Sequence, residues 1–580
     1  MNNSGYIKTA KNPDLITFKV MSGDTELPGK YGIKSIVVEK EINRIPYARI
    51  VILDGSAPEQ DFKLSNEELL IPGKEIEITA GYHSKEETIF KGVVVKHNIK
   101  VRSGSSYLII ECRDKAVKMT LGRKSKYFYD SKDSDIIEEL IGNSGATADV
   151  EATSNSHKEL VQYQSSDWDF MLTRAQANGK LCFVEDGKIK VAKPDFSAKE
   201  VETVVYGSSI HEFDGEVDAR DQFNKITAKT WSYTDQELTE VEAQDPAIKL
   251  NGNLSSGDLA KVFGIEDLQL KHGGNLTQNE LQDWSDAKAT FQQLAKTRGR
   301  VKFQGISVNL GDTLALQGVG NRFNGKIYVT GVRHEIADGN WLVDAQFGLS
   351  PTWFSETYDV SEMPGSGIIP SISGLHIGVV SQLESDPDGE DRILVQIPII
   401  NNEEEGIWAR VATLDAGENR GSFFRPEIGD EVIIGFINDD PNDAVVLGML
   451  NSSTKPAPIV ASDDNHEKGF VTRSEMKMIF NDDKISYTLE TPKGKKVILD
   501  EDADVIKIED EHSNILTLNK DGISIESGKD IKIKAKGNIT MEGVNVNVKA
   551  SAQFKAEGSS GSELKSGAVT VVKGSQVKIN

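Results

Sequence analysis

The sequence predicts a mainly β protein with a few helices: β-barrel-like domains first, then an OB-fold barrel, then a C-terminal intertwined trimeric β-helix, or β-prism. Three observations carry that expectation. Runs of alternating apolar and polar residues fill most of residues 15–350, the pattern of half-buried antiparallel strands. A cluster of short apolar runs occupies residues 375–452, the size of a small barrel. Towards the end, apolar residues come in pairs one residue apart that recur every eight residues, as Ile523/Ile525, Ile531/Ile533 and Ile539/Met541.

A chain of 580 residues is too long for one core, and breaks in its patterning divide it. Residues 1–351 read as two barrel-like subdomains with helical insertions, 352–374 as a Pro/Gly/Ser-rich linker, 375–452 as the OB-fold, 453–475 as a second linker and 476–580 as the prism. ITFKV, SIVVEKEI, ARIVILDG, KEIEITAGY and KGVVVKHNIKV are the first strands. Helices are expected at DSDIIEELIGNSG, stopping at Gly142-Asn143, and at SSDWDFMLTRAQANG, where Ser166 and Asp169 have capping-box spacing and Gly179 closes the end. A third is expected around DWSDAKATFQQLAKTRG, ending at Gly299. RILVQIPII, GIWARVATL, DEVIIGFIN and DAVVLGML supply the barrel.

Composition excludes several functions. The formal charge of −24 opposes binding to a phosphate backbone, and residues 375–452 hold 16 acidic and 4 basic residues, which argues against single-stranded nucleic acid on the barrel. No apolar run approaches the roughly 20 residues that cross a bilayer. The start, MNNSGYIKTAKNPDLITFKV, shows no apolar core behind a basic segment, so cytoplasmic assembly without a signal peptide is expected. Cys112 and Cys182 lie in apolar runs and read as buried free thiols. The nine histidines are scattered singly, so neither a metal site nor a cofactor is expected.

Each octad supplies one short strand with two inward side chains and a small residue where the chain steps up (Gly522, Gly528, Gly537, Gly543). One such strand encloses nothing. Three parallel chains, one to each face of a triangular prism, would bring Ile523, Ile525, Ile531, Ile533, Ile539, Met541, Val546, Val548, Val569, Val571, Val577 and Ile579 together on the axis. Lys529, Lys532, Lys534, Lys536 and Lys578 would alternate outward. Between residues 549 and 568 the pairs thin to Phe554 and Leu564.

Three stretches resemble the VgrG spike proteins of type VI secretion and contractile injection systems, and equally the fused hub and needle proteins of phage tails. They are VQYQSSDWDFMLTRAQANGKLCF (161–183), GRVKFQGISVNLGDTLALQGVGNRFNGKIYVTGVRHEI (299–336) and FRPEIGDEVIIGFINDDPNDAVVLGML (424–450). Ser165 departs from the pattern, where an acidic residue is common. The resemblance implies a hub, an OB collar and a needle forming a structural homotrimer that joins the inner tube to the piercing tip and punctures the target envelope on sheath contraction. It implies self-association, an inner-tube ring at the hub end, baseplate proteins, effectors and a PAAR-type tip protein against Val577, Lys578, Ile579 and Asn580. Such a spike is assembled in the cytoplasm and then expelled with the injection particle. No appended or inserted catalytic domain is expected, so a non-enzymatic role is. The alternative is a phage-tail or spike enzyme that degrades cell wall or surface glycan.

Isolated motifs support little chemistry. GVGNRFNG (318–325) lies between strands and reads as a hairpin, not a phosphate cradle. DPDGED (386–391) has the Asp-Gly of a hairpin but lacks the full calcium-loop pattern. Glu138/Glu139 and Asp482/Asp483 are paired acids in a chain with 90 acids, no catalytic residue is assigned, and Trp168 and Phe170 read as core.

Overall fold

The computed structural model describes residues 15–265 and 267–579. They fall into two compact units, one within Met1–Ser373 plus Phe436–Asp443, the other within Gly374–Gly435 plus Ala444–Asn580.

The first unit is built on a 13-stranded sheet. The expected early strands form as Ile16–Ser22, Ile33–Glu41, Tyr47–Leu53, Glu75–Tyr82 and Lys85–Arg102, joined by Ser105–Arg113. A later set, including Thr297–Gln304, Gly325–Ala337 and Asn340–Phe347, completes it. The sets meet where Gly325–Ala337 runs antiparallel to Ile33–Glu41, with Gly331 opposite Glu41 and Ala337 opposite Ser35. Alternation puts Ile36, Val38, Val332 and Ile336 from both sides of that seam into one core.

A smaller body between the two sets has its own core, which includes Phe128, Ile137, Met171 and Val191. Its helix Asp133–Ser144 passes through the expected stop at Gly142 and ends at Gly145, which takes the left-handed φ of 81°. Helix Asp167–Ala177 is capped as its sequence predicts, Ser166 Oγ accepting from the Asp169 amide at 3.1 Å. The third helix differs from expectation. It spans Gln278–Ala295, opening on a Thr277/Glu280 capping box. Gly299 does not terminate it but lies inside strand Thr297–Gln304, where a Cβ would sit 2.2 Å from the Asp214 carbonyl oxygen. Close strand approach, not a helix end, is what requires glycine there.

The second unit opens with the five-stranded closed barrel, His376–Gln382, Ile393–Gln396, Ile407–Val411, Glu431–Phe436 and Ala444–Met449. Val380, Ile393, Val395, Ala409, Val432, Ile434 and Val446 fill it. A seven-stranded antiparallel meander follows: Glu467–Val471, Lys477–Asn481, Ser486–Glu490, Lys496–Asp500, Val505–Glu509, Ile515–Asn519 and Gly522–Glu526. It begins inside the stretch read as the second linker. The octad reading expected one strand per octad; among the described residues no strand is assigned beyond Glu526.

Candidate assembly interface

Pairing in the meander sorts its side chains into two unlike faces. Met478, Leu489, Val497, Ile508, Leu516 and Ile525 are successive cross-strand neighbours, and so are Phe480, Tyr487, Leu499, Ile506, Leu518 and Ile523. Because residues i and i+2 share a face, both rows lie side by side on the same one. The opposite face carries the neighbours Lys477, Glu490, Lys496 and Glu509 in alternating charge, with a Lys496–Glu490 ion pair of 3.3 Å. Opposite charges across strands hold the register, and a slip of one residue would exchange the two faces.

This apolar face is uncovered. Among the described residues no side chain after Val446 is buried, and Leu499, Ile508 and Ile523 are 44%, 46% and 71% exposed. Covering a side chain of this kind contributes roughly 1.5 to 3 kcal/mol.

Of the expected prism-core residues, Ile523 and Ile525 sit on this face, and Ile531 lines the same shallow cleft as Leu516 and Ile525. Ile533, Ile539, Met541, Val546, Val548, Val569, Val571, Val577 and Ile579 are exposed and are not brought together within one chain. Lys578 is exposed too, and Asn580 lies outside the described residues. Sequence reasoning missed the ten upstream members, Met478 to Leu518. Their signal is the same i, i+2 pair, at spacings of nine and ten instead of eight.

The other candidates resolve into structure. GVGNRFNG turns between paired strands Thr313–Gln317 and Gly325–Ala337. Asp386 closes the turn of DPDGED by accepting from the Arg392 guanidinium at 2.6 Å and from the amides of Asp388, Glu390 and Arg392. The Arg392 bond, with those amides, holds its carboxyl well below the usual carboxylate range. Glu139 pairs with Lys126 and Asp482 with Lys468, all at the surface. Cys112 and Cys182 are buried free thiols, and burial pushes Cys112 up to about 12, which leaves no nucleophilic thiolate near neutral pH. Trp168 is buried and Phe170 stacks on Phe128 at 6.0 Å. Among the described residues no three His, Cys, Asp or Glu side chains are grouped to hold a metal ion.

Residues 12–338, more than half of the chain, match the Alg8 N-terminal domain. The chain belongs to that family. Residues 376–450 match the type VI secretion system/phage-baseplate injector OB domain, which coincides with the barrel. The type VI secretion system spike protein VgrG3 of Vibrio cholerae is 32% identical over 117 residues, 18% of this chain and 11% of that relative's length. The barrel match and the VgrG3 match agree with the resemblance of the chain's motifs to VgrG-family spike proteins. Solved structures that resemble it include a tail protein from Neisseria meningitidis (14% identity, TM-score 0.44, 59% of this chain and 98% of that one). Another is the type VI component c3393 of E. coli (12%, 0.36, 74% and 100%). A third is the Francisella PdpA–VgrG complex (10%, 0.39, 88% and 80%).

Proposed function

We propose that this VgrG-type chain is the structural spike of a contractile injection machine, working as a homotrimer. The observation that carries the reading is the uncovered two-row apolar face of the meander, continued by octads whose apolar pairs are at least half exposed among the described residues. Two sheets could cover each other face to face. The octads need more, since a lone strand with two inward residues requires a neighbour at each edge, and three chains about one axis supply both. In this role the N-terminal sheet sits on the inner-tube ring, the barrel forms a collar among baseplate proteins, and the C-terminal segment is the needle. Its end, Val577, Lys578, Ile579 and Asn580, meets a PAAR-type tip protein, effectors travel with the spike, and sheath contraction drives it from the cytoplasm through the target envelope. The role asks for no catalysis.

Particles purified from cells that make the protein, labelled with gold-tagged antibody against it, provide the test. Label at one end of contractile particles is the expected result; label along the sheath, or none on particles, would overturn the reading. A zymogram on purified cell wall addresses the enzymatic alternative: no clearing is expected, and a cleared zone at the mass of this chain would replace the mechanical role.

A further inference from the structure

We infer that the self-association surface continues from the sheet onto the barrel through an aromatic bridge of Phe470 and Phe424, and that a second copy of this chain covers it. The inference rests on the homotrimer reading above. Phe470, on the first strand of the meander, is the cross-strand neighbour of Met478, so it prolongs the row that runs from Met478 to Ile525. The ring of Phe470 stacks on that of Phe424 with centroids 4.9 Å apart and planes 9° from parallel. Phe424 belongs to the loop before barrel strand Glu431–Phe436, so one apolar strip passes from sheet to barrel without a polar break. The second row does not: across from Phe480 stands Lys468, held by Asp482. The strip therefore narrows to a single aromatic file where it reaches the barrel.

Surface polar contacts tie down the loop that carries Phe424. Glu427 takes an ion pair from Arg473 at 2.7 Å, the Glu427 amide donates to Asp430 at 2.9 Å, and Arg425 pairs with Asp391. A loop held this way loses little freedom on binding. Yet each ring covers only one side of the other: Phe424 is still 56% exposed, Phe470 45% and the adjacent Phe423 82%. A second copy is the occupant because the row these rings prolong is the one that copies must cover along the sheet. Any other partner would have to share a continuous strip with the copy already there. The outward barrel residue Leu447, 50% exposed, lies on a strand of the barrel wall outside this strip and serves as a control.

The test uses the full chain in enough guanidinium chloride to make dissociation of the wild type measurable. Light scattering across a dilution series compares wild type with Phe424→Asp and Leu447→Asp, and amide exchange follows residues 412–428. The concentration at half-dissociation is expected to rise roughly tenfold or more for Phe424→Asp, as for a buried aromatic hot spot, and to stay at the wild-type value for Leu447→Asp. Loop amides should exchange more slowly in the assembled protein than in the dissociated one. Dissociation of Phe424→Asp at the wild-type concentration, equal weakening by both variants, or no slowing in the loop would overturn the inference and leave the trimer standing. A wild type that never associates would remove the trimer reading and this inference together.

Discussion

Asp133 accepts from the Arg174 guanidinium at 2.6 and 2.9 Å and from Asn178 at 2.9 Å. His157 spans the gap between two carboxylates, Nε2 3.0 Å from Asp133 and Nδ1 3.1 Å from Glu280. Burial works against ionisation of Asp133, but Arg174 outweighs it and the carboxyl stays below its usual range. Asp133→Asn would leave Arg174 without its hydrogen-bonded carboxylate, a loss of about 3 to 5 kcal/mol when one member of a buried pair goes, to be read from urea denaturation. His334 supplies a pH dependence. Burial lowers it to about 3, whereas an unfolded chain titrates near about 6.5. Between those values the unfolded state holds a proton that the native imidazole lacks. The stabilisation is complete above the unfolded value and declines as pH drops towards 3. The fall in melting temperature from neutral to acid pH should be shallower in His334→Gln; an unchanged slope would rule out this residue as a source. His334 is a structural histidine, accepting from Trp341 Nε1 at 3.3 Å. The Asp133 network was not legible, because Glu280 lies far along the chain and only the fold brings it to His157.

Strands and caps were the most legible elements. Alternation marked the early strands, and the Ser166/Asp169 spacing marked a real cap, because these signals are local. The seam between Ile33–Glu41 and Gly325–Ala337 left no local trace, and Gly299 looked like a helix end because close backbone approach needs the same residue. Within the meander, neighbouring positions should respond in opposite ways. Ile508→Lys puts a charge into the apolar row and should abolish assembly, as seen by light scattering, while Lys507→Gln one residue away should leave the mass unchanged. A second element-scale prediction concerns Ile485, which holds a left-handed φ of 46° in the turn before Ser486–Glu490. A β-branched residue is strained there, so Ile485→Asn should stabilise the hairpin by about 1 kcal/mol, measured as a higher unfolding midpoint. Destabilisation would show that the Ile side chain makes a contact worth more than its backbone strain.

At the scale of the whole molecule the order of parts was legible: a large β body, a small barrel and an apolar-paired tail. The architecture of the tail was not fully so. A reading tuned to a repeat of eight caught Ile523/Ile525 and passed over Met478/Phe480 to Leu516/Leu518, because hairpin turns of varying length stretch the repeat without changing which face the pair occupies. Net charge adds a condition on assembly. Each copy carries −24, so copies repel one another while their apolar faces attract, and screening shrinks the Debye length from about 10 Å at 0.1 M salt to about 3 Å at 1 M. Self-association should strengthen as salt rises; weakening would mean that ion pairs, not apolar rows, hold the copies together. The mass of the purified full-length protein by light scattering decides most. Three chain masses are predicted, and a folded protein of one chain mass at every concentration and salt would contradict the account.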